Sequence, residues 1–156
     1  MPVIGRFAPS PSGPLHFGSL VAAIGSYCQA RAQNGRWILR IEDVDTPRVV
    51  PTATDQILHD LETFGFDWDG PVIYQSRNFE QYQFYLNELI EDKLAYACRC
   101  SRKLLRDGGV EYGPLGQIYP GFCRDEHLAI KDHSIRLMTK NAMKTPFSDP
   151  VYGPVY

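Results

Sequence analysis

Between residues 6 and 19 the chain reads Arg-Phe-Ala-Pro-Ser-Pro-Ser-Gly-Pro-Leu-His-Phe-Gly-Ser, with three prolines and two glycines in fourteen positions. Proline fixes φ and removes a backbone donor, so this segment continues neither a helix nor the middle of a sheet. Ahead of it lies a short apolar lead-in, Val3-Ile4, and behind it an amphipathic stretch from Leu20 to Gln33. The predicted order is strand, rigid loop, helix. The first N–H groups of a helix lack intrahelical partners and carry the positive end of the dipole, so the junction suits an anion such as a phosphate. Ser19 is expected to cap the helix, Gly18 to admit a ligand close to the backbone, and His16 to donate to a phosphoryl oxygen. Taken singly, the same residues describe only a turn with a capping serine and an exposed histidine.

Asn34-Gly35 ends the first helix, and Arg36–Ile41 reads as a short strand buried on both faces. Strand, helix, strand with this spacing predicts a parallel βαβ unit, in which ligands gather at the carboxyl ends of the strands. Both Arg6–Ser10 and Glu42-Asp43 fall there, the latter in the acidic turn Arg40-Ile-Glu-Asp-Val-Asp45, which taken alone describes only a solvated strand end. Cys28 is expected in the core. Residues 52–64 place Ile57, Leu58, Leu61 and Phe64 at helical spacing, stopped by Gly65. Phe66–Pro71 is a turn-rich link in which Trp68 is expected to pack, and Gln75-Ser76-Arg77 carries no assigned chemistry. Residues 79–93 form another stripe (Phe79, Tyr82, Leu86, Leu89, Ile90) with Asn78 as N-cap, and its aromatics are expected in the core.

With 156 residues, 44% apolar and 22% charged, the chain has the composition of a globular domain. A net charge of -2 supplies no overall basic surplus, so any nucleic-acid contact must be local. The N-terminus lacks the pattern of a secretion signal and no apolar run approaches 20 residues, so a cytoplasmic protein with no membrane contact is expected.

Cys98 and Cys100 lie two residues apart, and Cys123 follows in Tyr119-Pro-Gly-Phe-Cys123. Two thiolates at this spacing reach one small ion, and the Gly/Pro-rich return brings the third. Zinc is the leading expectation, with disulfides and free buried thiols as the competitors. By ligand chemistry alone His127 is the favoured fourth donor and Asp125 a weaker one.

The string Arg6-x-Ala8-Pro9-Ser10-Pro11-x-Gly13-x-Leu15-His16-x-Gly18-Ser19, with His16-Phe17-Gly18-Ser19 as a "HIGH"-type signature, resembles the glutamate branch of the class I aminoacyl-tRNA synthetases. Within it the pattern is most similar to the glutamyl-queuosine members, with ordinary glutamyl-tRNA synthetases second. The resemblance covers nearly all of residues 3 to 155. It implies an α/β fold with a Rossmann-like parallel sheet of class I synthetase type: 1–95 as part of the nucleotide-binding catalytic domain, 96–128 as a zinc-binding insertion, and 129–156 as a return toward the catalytic domain. It implies a catalytic group of His16, Gly18 and Ser19, and glutamate contacts from Arg6, Phe7, Ala8, Pro9, Ser10 and Glu42. Zinc would be held by Cys98, Cys100, Tyr119 and Cys123, with Tyr112 as another candidate for the tyrosine. The implied partners are L-glutamate, ATP with magnesium, and tRNA(Asp) carrying queuosine, and the implied state is a monomer. The lysine-bearing loop that completes the family's ATP clamp has no counterpart here, so this chain is expected to be a truncated form, inactive alone. The alternatives are a fragment of glutamyl-tRNA synthetase and a non-catalytic zinc-containing binding module.

Overall fold

The computed structural model describes residues 2–108, 110–113, 116–139, 147–149 and 152–155. The elements in chain order are β1 (Ile4–Phe7), α1 (Phe17–Arg31), β2 (Arg36–Ile41), α2 (Ala53–Thr63), β3 (Ile73–Tyr74), α3 (Phe79–Glu91), β4 (Ala95–Cys98), α4 (Arg102–Asp107), β5 (Tyr112–Gly113), β6 (Gly116–Gln117), β7 (Ser134–Leu137), β8 (Phe147–Asp149) and β9 (Gly153–Val155). They fall into two compact units, Met1–Gln81 and Tyr82–Tyr156, and the division lies inside α3.

In the first unit, β1, β2 and β3 form a three-stranded parallel sheet in that order, with Arg6 opposite Ile38 and Arg40 opposite Ile73. The predicted βαβ unit is therefore present. Its helix packs against β1 at very close range: a side chain at Gly5 would meet Ser26 O at 2.8 Å and Ala30 Cβ at 2.9 Å. That closeness decides which face of α1 is buried. Ala23 and Ala30 are fully enclosed, Tyr27 and Leu20 pack at the edge, and Cys28, expected in the core, is exposed. Asn34 ends the helix in the left-handed region (φ 50°), and Gly35 N–H donates to Ala30 O at 2.8 Å.

The core is aromatic. Trp37, wholly buried, stacks on Phe7 (centroids 6.2 Å apart) and Phe66 (5.6 Å), takes the edge of Tyr27 (5.2 Å), and donates from Nε1 to Ser26 Oγ at 3.0 Å. Burial along β2 alternates: Trp37, Leu39 and Ile41 are enclosed, while Ile38 and Arg40 are half-buried and Arg36 is exposed. The expectation of two buried faces is thus corrected, and the less enclosed face is the one that carries Arg40. α2 buries Ile57 and Leu61 as predicted, but Phe64 turns outward at the helix end. The link after it is tied down. Asp69 accepts from Trp37 N–H (2.7 Å) and from Arg31 (2.7 Å), and Trp68 packs against the core as expected.

α3 is the clearest departure from the pattern. It buries none of its residues, and Phe79 and Tyr82 are exposed rather than core. Asn78 belongs to a 3-10 turn, and its amide donates back to Tyr74 O at 3.4 Å instead of capping the helix. In the second unit β4 and β7 pair antiparallel, with Ala95 opposite Leu137 and Cys98 opposite Ser134, so the described part of segment 129–156 is built into the same unit as the cysteines.

Truncating a ring at the centre of such a cluster leaves a cavity that the sheet cannot close. Trp37→Ala is expected to lower stability by about 3–5 kcal/mol and Trp37→Phe by distinctly less, read from urea midpoints followed by circular dichroism.

Candidate functional site

The loop after β1 is fastened to the strand beside it. Glu42 N–H donates to Pro9 O (3.0 Å), Val50 N–H to Pro11 O (2.8 Å), and Ser12 N–H to Ser10 O (2.9 Å), while Pro9 and Pro11 are buried. Proline carbonyls accept while the rings fill space, so the loop is rigid without a regular ladder. It delivers the chain to His16, which is the N-cap of α1. The helix thus begins at Phe17, and Ser19 sits inside its first turn. Ser19 N–H donates to His16 Nδ1 at 3.2 Å, and Ser19 Oγ lies 3.1 Å from His16 Nε2. The cap is the histidine rather than the serine. An acceptor Nδ1 leaves the proton of the neutral ring on Nε2. Gly18 fits this arrangement, because a side chain there would meet His16 Cε1 at 3.1 Å, so its smallness serves the folded-over imidazole.

Two of the cavities beside this loop reach the predicted site residues. The larger, about 430 Å³, is lined by Phe7, Ala8, Pro9, Ser10, His16, Gly18 and Ser19 among others. The smaller, about 140 Å³, is lined by Ser10, Pro11, Ser12, Glu42, Asp45, Arg48 and Val49. Ser10 and Ser12 are common to both. Arg6 lines neither. It is exposed on β1, and strand alternation puts it on the sheet face away from Trp37, shared with Ile38 and Arg40. Phe7 is mostly core, with its ring stacked on Trp37.

Glu42 is ion-paired to Arg40, whose Nε is buried with no hydrogen-bond partner among the described residues. Beside it Asp43 accepts from Ser76 N–H (2.8 Å) and Ser76 Oγ (2.6 Å). Burial alone would raise the Asp43 pKa, but the Ser76 hydrogen bonds outweigh it and hold the carboxyl below its ordinary range. Arg48 Nε donates to Asp45 at 2.6 Å on the rim.

In the second unit, Cys98, Cys100 and Cys123 bring their sulfurs within 4.8 Å of one another, and all three are free thiols rather than disulfides. Cys100 Sγ is 3.5 Å from Cys123 Sγ, and Tyr119 Oη is 3.3 Å from Cys98 Sγ and 3.6 Å from Cys100 Sγ. A tetrahedral zinc with ordinary Zn–S and Zn–O bonds needs donor separations of roughly 3.5–3.8 Å, so this donor set fits one. Tyr119 Oη is held by Cys123 N–H at 3.0 Å. His127 and Asp125 are not part of the group among the described residues, and Tyr112 is exposed with its hydroxyl taken by Gln117. Burial works against a thiolate at Cys98, yet hydrogen bonds from Tyr119 and Arg136 bring its pKa down to about 6. Burial and the adjoining sulfurs push Cys100 up, and burial with Cys98 pushes the Tyr119 phenol well up. One negative charge thus makes the next costly, a conflict that a divalent cation at the centre removes.

A family model described as "tRNA synthetases class I (E and Q), catalytic domain" matches residues 2–156. The chain belongs to this family. Among relatives of this class I synthetase chain, a "Glutamyl-Q tRNA(Asp) synthetase" from Dechloromonas aromatica is 51% identical over 155 residues, covering 99% of this chain and 52% of the relative. One of the same name from Yersinia pestis is 55% identical over 134 residues, covering 86% and 40%. A solved glutamate–tRNA synthetase from Elizabethkingia anophelis matches with a TM-score of 0.77 at 28% identity, over 99% of this chain and 36% of that one. The chain spans about half the length of the curated relatives it matches. Its fold is therefore class I synthetase-like, mixed α/β with a parallel sheet.

Within this synthetase fold, sequence reasoning missed Arg40 and Ser76. Arg40 carried a signal, since a charged residue alternates there with buried apolar ones. Ser76 carried none, because its partner Asp43 is thirty-three positions away.

Asp43→Ala removes two hydrogen bonds to a charged acceptor and is expected to cost about 1.5–3 kcal/mol at pH 7. Because the folded pKa is depressed, this contribution is complete above the unfolded value of about 3.9 and fades as pH falls through the folded one. The difference between wild type and Asp43→Ala in urea unfolding should accordingly shrink below pH 4.

Proposed function

We propose that this chain carries the ATP- and glutamate-binding part of an enzyme that activates glutamate and transfers it to queuosine in the anticodon of tRNA(Asp). The observation that carries this reading is the Pro9–Glu42 hydrogen bond, which sets the helix start at His16–Ser19 and the carboxylate of Glu42 at the ends of adjacent parallel strands. ATP, with its magnesium, occupies the larger cavity, its phosphates toward His16 and the first turn of α1. Glutamate takes the region of Ala8, Pro9, Ser10 and Glu42, with its ammonium on Glu42 and its side-chain carboxylate toward Arg6 on the same sheet face. Arg40 orients Glu42 from behind.

In the first step a carboxylate oxygen of glutamate attacks the α-phosphorus, the bond to the bridging oxygen breaks, and pyrophosphate leaves from glutamyl-adenylate. His16 Nε2–H and the helix start stabilise the charge that develops, and no protein nucleophile is needed. In the second step a hydroxyl of the queuosine cyclopentenediol attacks the glutamyl carbonyl carbon, AMP departs, and the hydroxyl proton passes to the departing phosphate or to water. Zinc on Cys98, Cys100, Tyr119 and Cys123 supplies structure rather than chemistry, since four protein donors leave no open position. The protein acts as a monomer in the cytoplasm. Among the described residues no helix is long and apolar enough to cross a membrane. The names carried by relatives at 51–55% identity favour queuosine over the acceptor end of tRNA(Glu), the alternative suggested by the solved structure at 28%.

The sequence contains neither Lys-Met-Ser-Lys nor Lys-Leu-Ser-Lys. Alone, the 156-residue chain is expected to run glutamate-dependent ATP–pyrophosphate exchange at least about 100- to 1,000-fold below the same chain joined to the C-terminal half of the Dechloromonas aromatica relative. In that joined protein Glu42→Ala should impair glutamate use more than ATP use. Transfer to queuosine-free tRNA(Asp) as fast as to the modified form would overturn the assignment of acceptor. Metal analysis should find about one zinc per chain, lowered by Cys100→Ser, and less than a tenth of an equivalent in protein never exposed to chelator would remove zinc from the account.

A further inference from the structure

A zinc ion with three thiolates carries net charge -1, and a phenolate makes it -2. Such a centre, half enclosed in protein, calls for a fixed positive charge nearby. The sheet supplies one. In the antiparallel pair of β4 and β7, Tyr96 stands opposite Arg136 and Cys98 opposite Ser134. Cys98 and Arg136 are therefore diagonal neighbours on one sheet face, within reach of a long side chain. Arg136 Nε–H donates to Cys98 Sγ at 3.2 Å, and its guanidinium carbon lies 3.9 Å from the centroid of the Tyr119 ring. One cation thus meets two of the four donors, one by a hydrogen bond along its plane and the other by stacking its flat face. By contrast Arg99, close in sequence, is exposed and paired with Glu126.

We propose that Arg136 is the positioning residue of the cysteine–tyrosine metal site, fixing the Cys98 sulfur and the Tyr119 ring and balancing the excess negative charge of the loaded centre. This rests on the reading of the cluster as a zinc site. Arginine is required because its charge is permanent and its plane lets edge and face act at once. A lysine keeps the charge and loses the geometry.

The test uses the full chain loaded with zinc or with cobalt(II). Competition against a colorimetric chelator gives affinity, and the thiolate-to-cobalt charge-transfer band reports the hydrogen bond to sulfur. Arg136→Gln is expected to weaken zinc binding about 10- to 100-fold. It should also move the cobalt band to longer wavelength, since a thiolate that loses its donor holds its electrons less tightly. Arg136→Lys should fall between the two in affinity, with a band shifted like that of the glutamine variant. Arg99→Gln, which removes the same charge nearby, should change affinity less than twofold. Zinc binding by Arg136→Gln within twofold of wild type overturns the proposal, and so does weaker binding with an unmoved cobalt band, which would mark a merely structural residue. If Arg136→Gln does not fold, the lysine variant decides: wild-type affinity and an unmoved band sink the proposal. Wild-type chain that binds no zinc removes the metal reading and this proposal together, whereas tight binding indifferent to residue 136 removes this one alone.

Discussion

Parallel pairing of β1 with β2 is the constraint on which the first unit depends. Its last bond, from Glu42 N–H to the Pro9 carbonyl, extends the register beyond the regular strands and into the loop. Because the loop is dense in proline, a few such anchors suffice to fix its whole course. The position of His16, and with it the start of α1, follows from them. A parallel sheet opens its strand ends to ligand on one side only, so anchoring one loop against the neighbouring strand also sets which side chains share the opening.

Much of this arrangement was legible in the sequence, because it rests on local signals: proline and glycine for the loop, apolar spacing for the strands and α2, and Asn34-Gly35 for the helix end. Where reading failed, the deciding partner lay elsewhere. Cys28 looked like core because α1 is amphipathic on paper, but Gly5 draws the helix so near the sheet that only alanines fit beneath it, and the contact face turns away from residue 28. His16 rather than Ser19 is the cap because its imidazole nitrogen accepts from the N–H of Ser19 itself, which starts the helix ahead of the serine. The aromatic stripe of α3 marked what the helix is able to bury, which is a different matter from what is enclosed. Asp43 was visible in the acidic turn, but its pairing with Ser76 belongs to the meeting of β2 and β3.

The cysteine cluster shows the same division. Cys-x-Cys and the later Tyr-x-x-x-Cys could be read as donors, and the fold brings these four side chains together. Tyr119, rather than His127, lies against the sulfurs, its oxygen accepting from Cys123 N–H. Arg136 had no motif to announce it. Its neighbours are set by strand register, and register is a property of two segments at once.

Both tryptophans of the chain, Trp37 and Trp68, lie in the first unit, one enclosed among aromatic rings and the other at the edge of the same cluster. The second unit has only tyrosines and phenylalanines. Indole fluorescence excited at long wavelength therefore originates in the sheet-and-helix unit alone, while the cysteine-bearing unit is optically silent there. Indole emission thus follows the first unit, while far-ultraviolet circular dichroism follows both. Whether the two units melt as one or in succession is thereby open to direct observation in a single sample, without attaching a label to either.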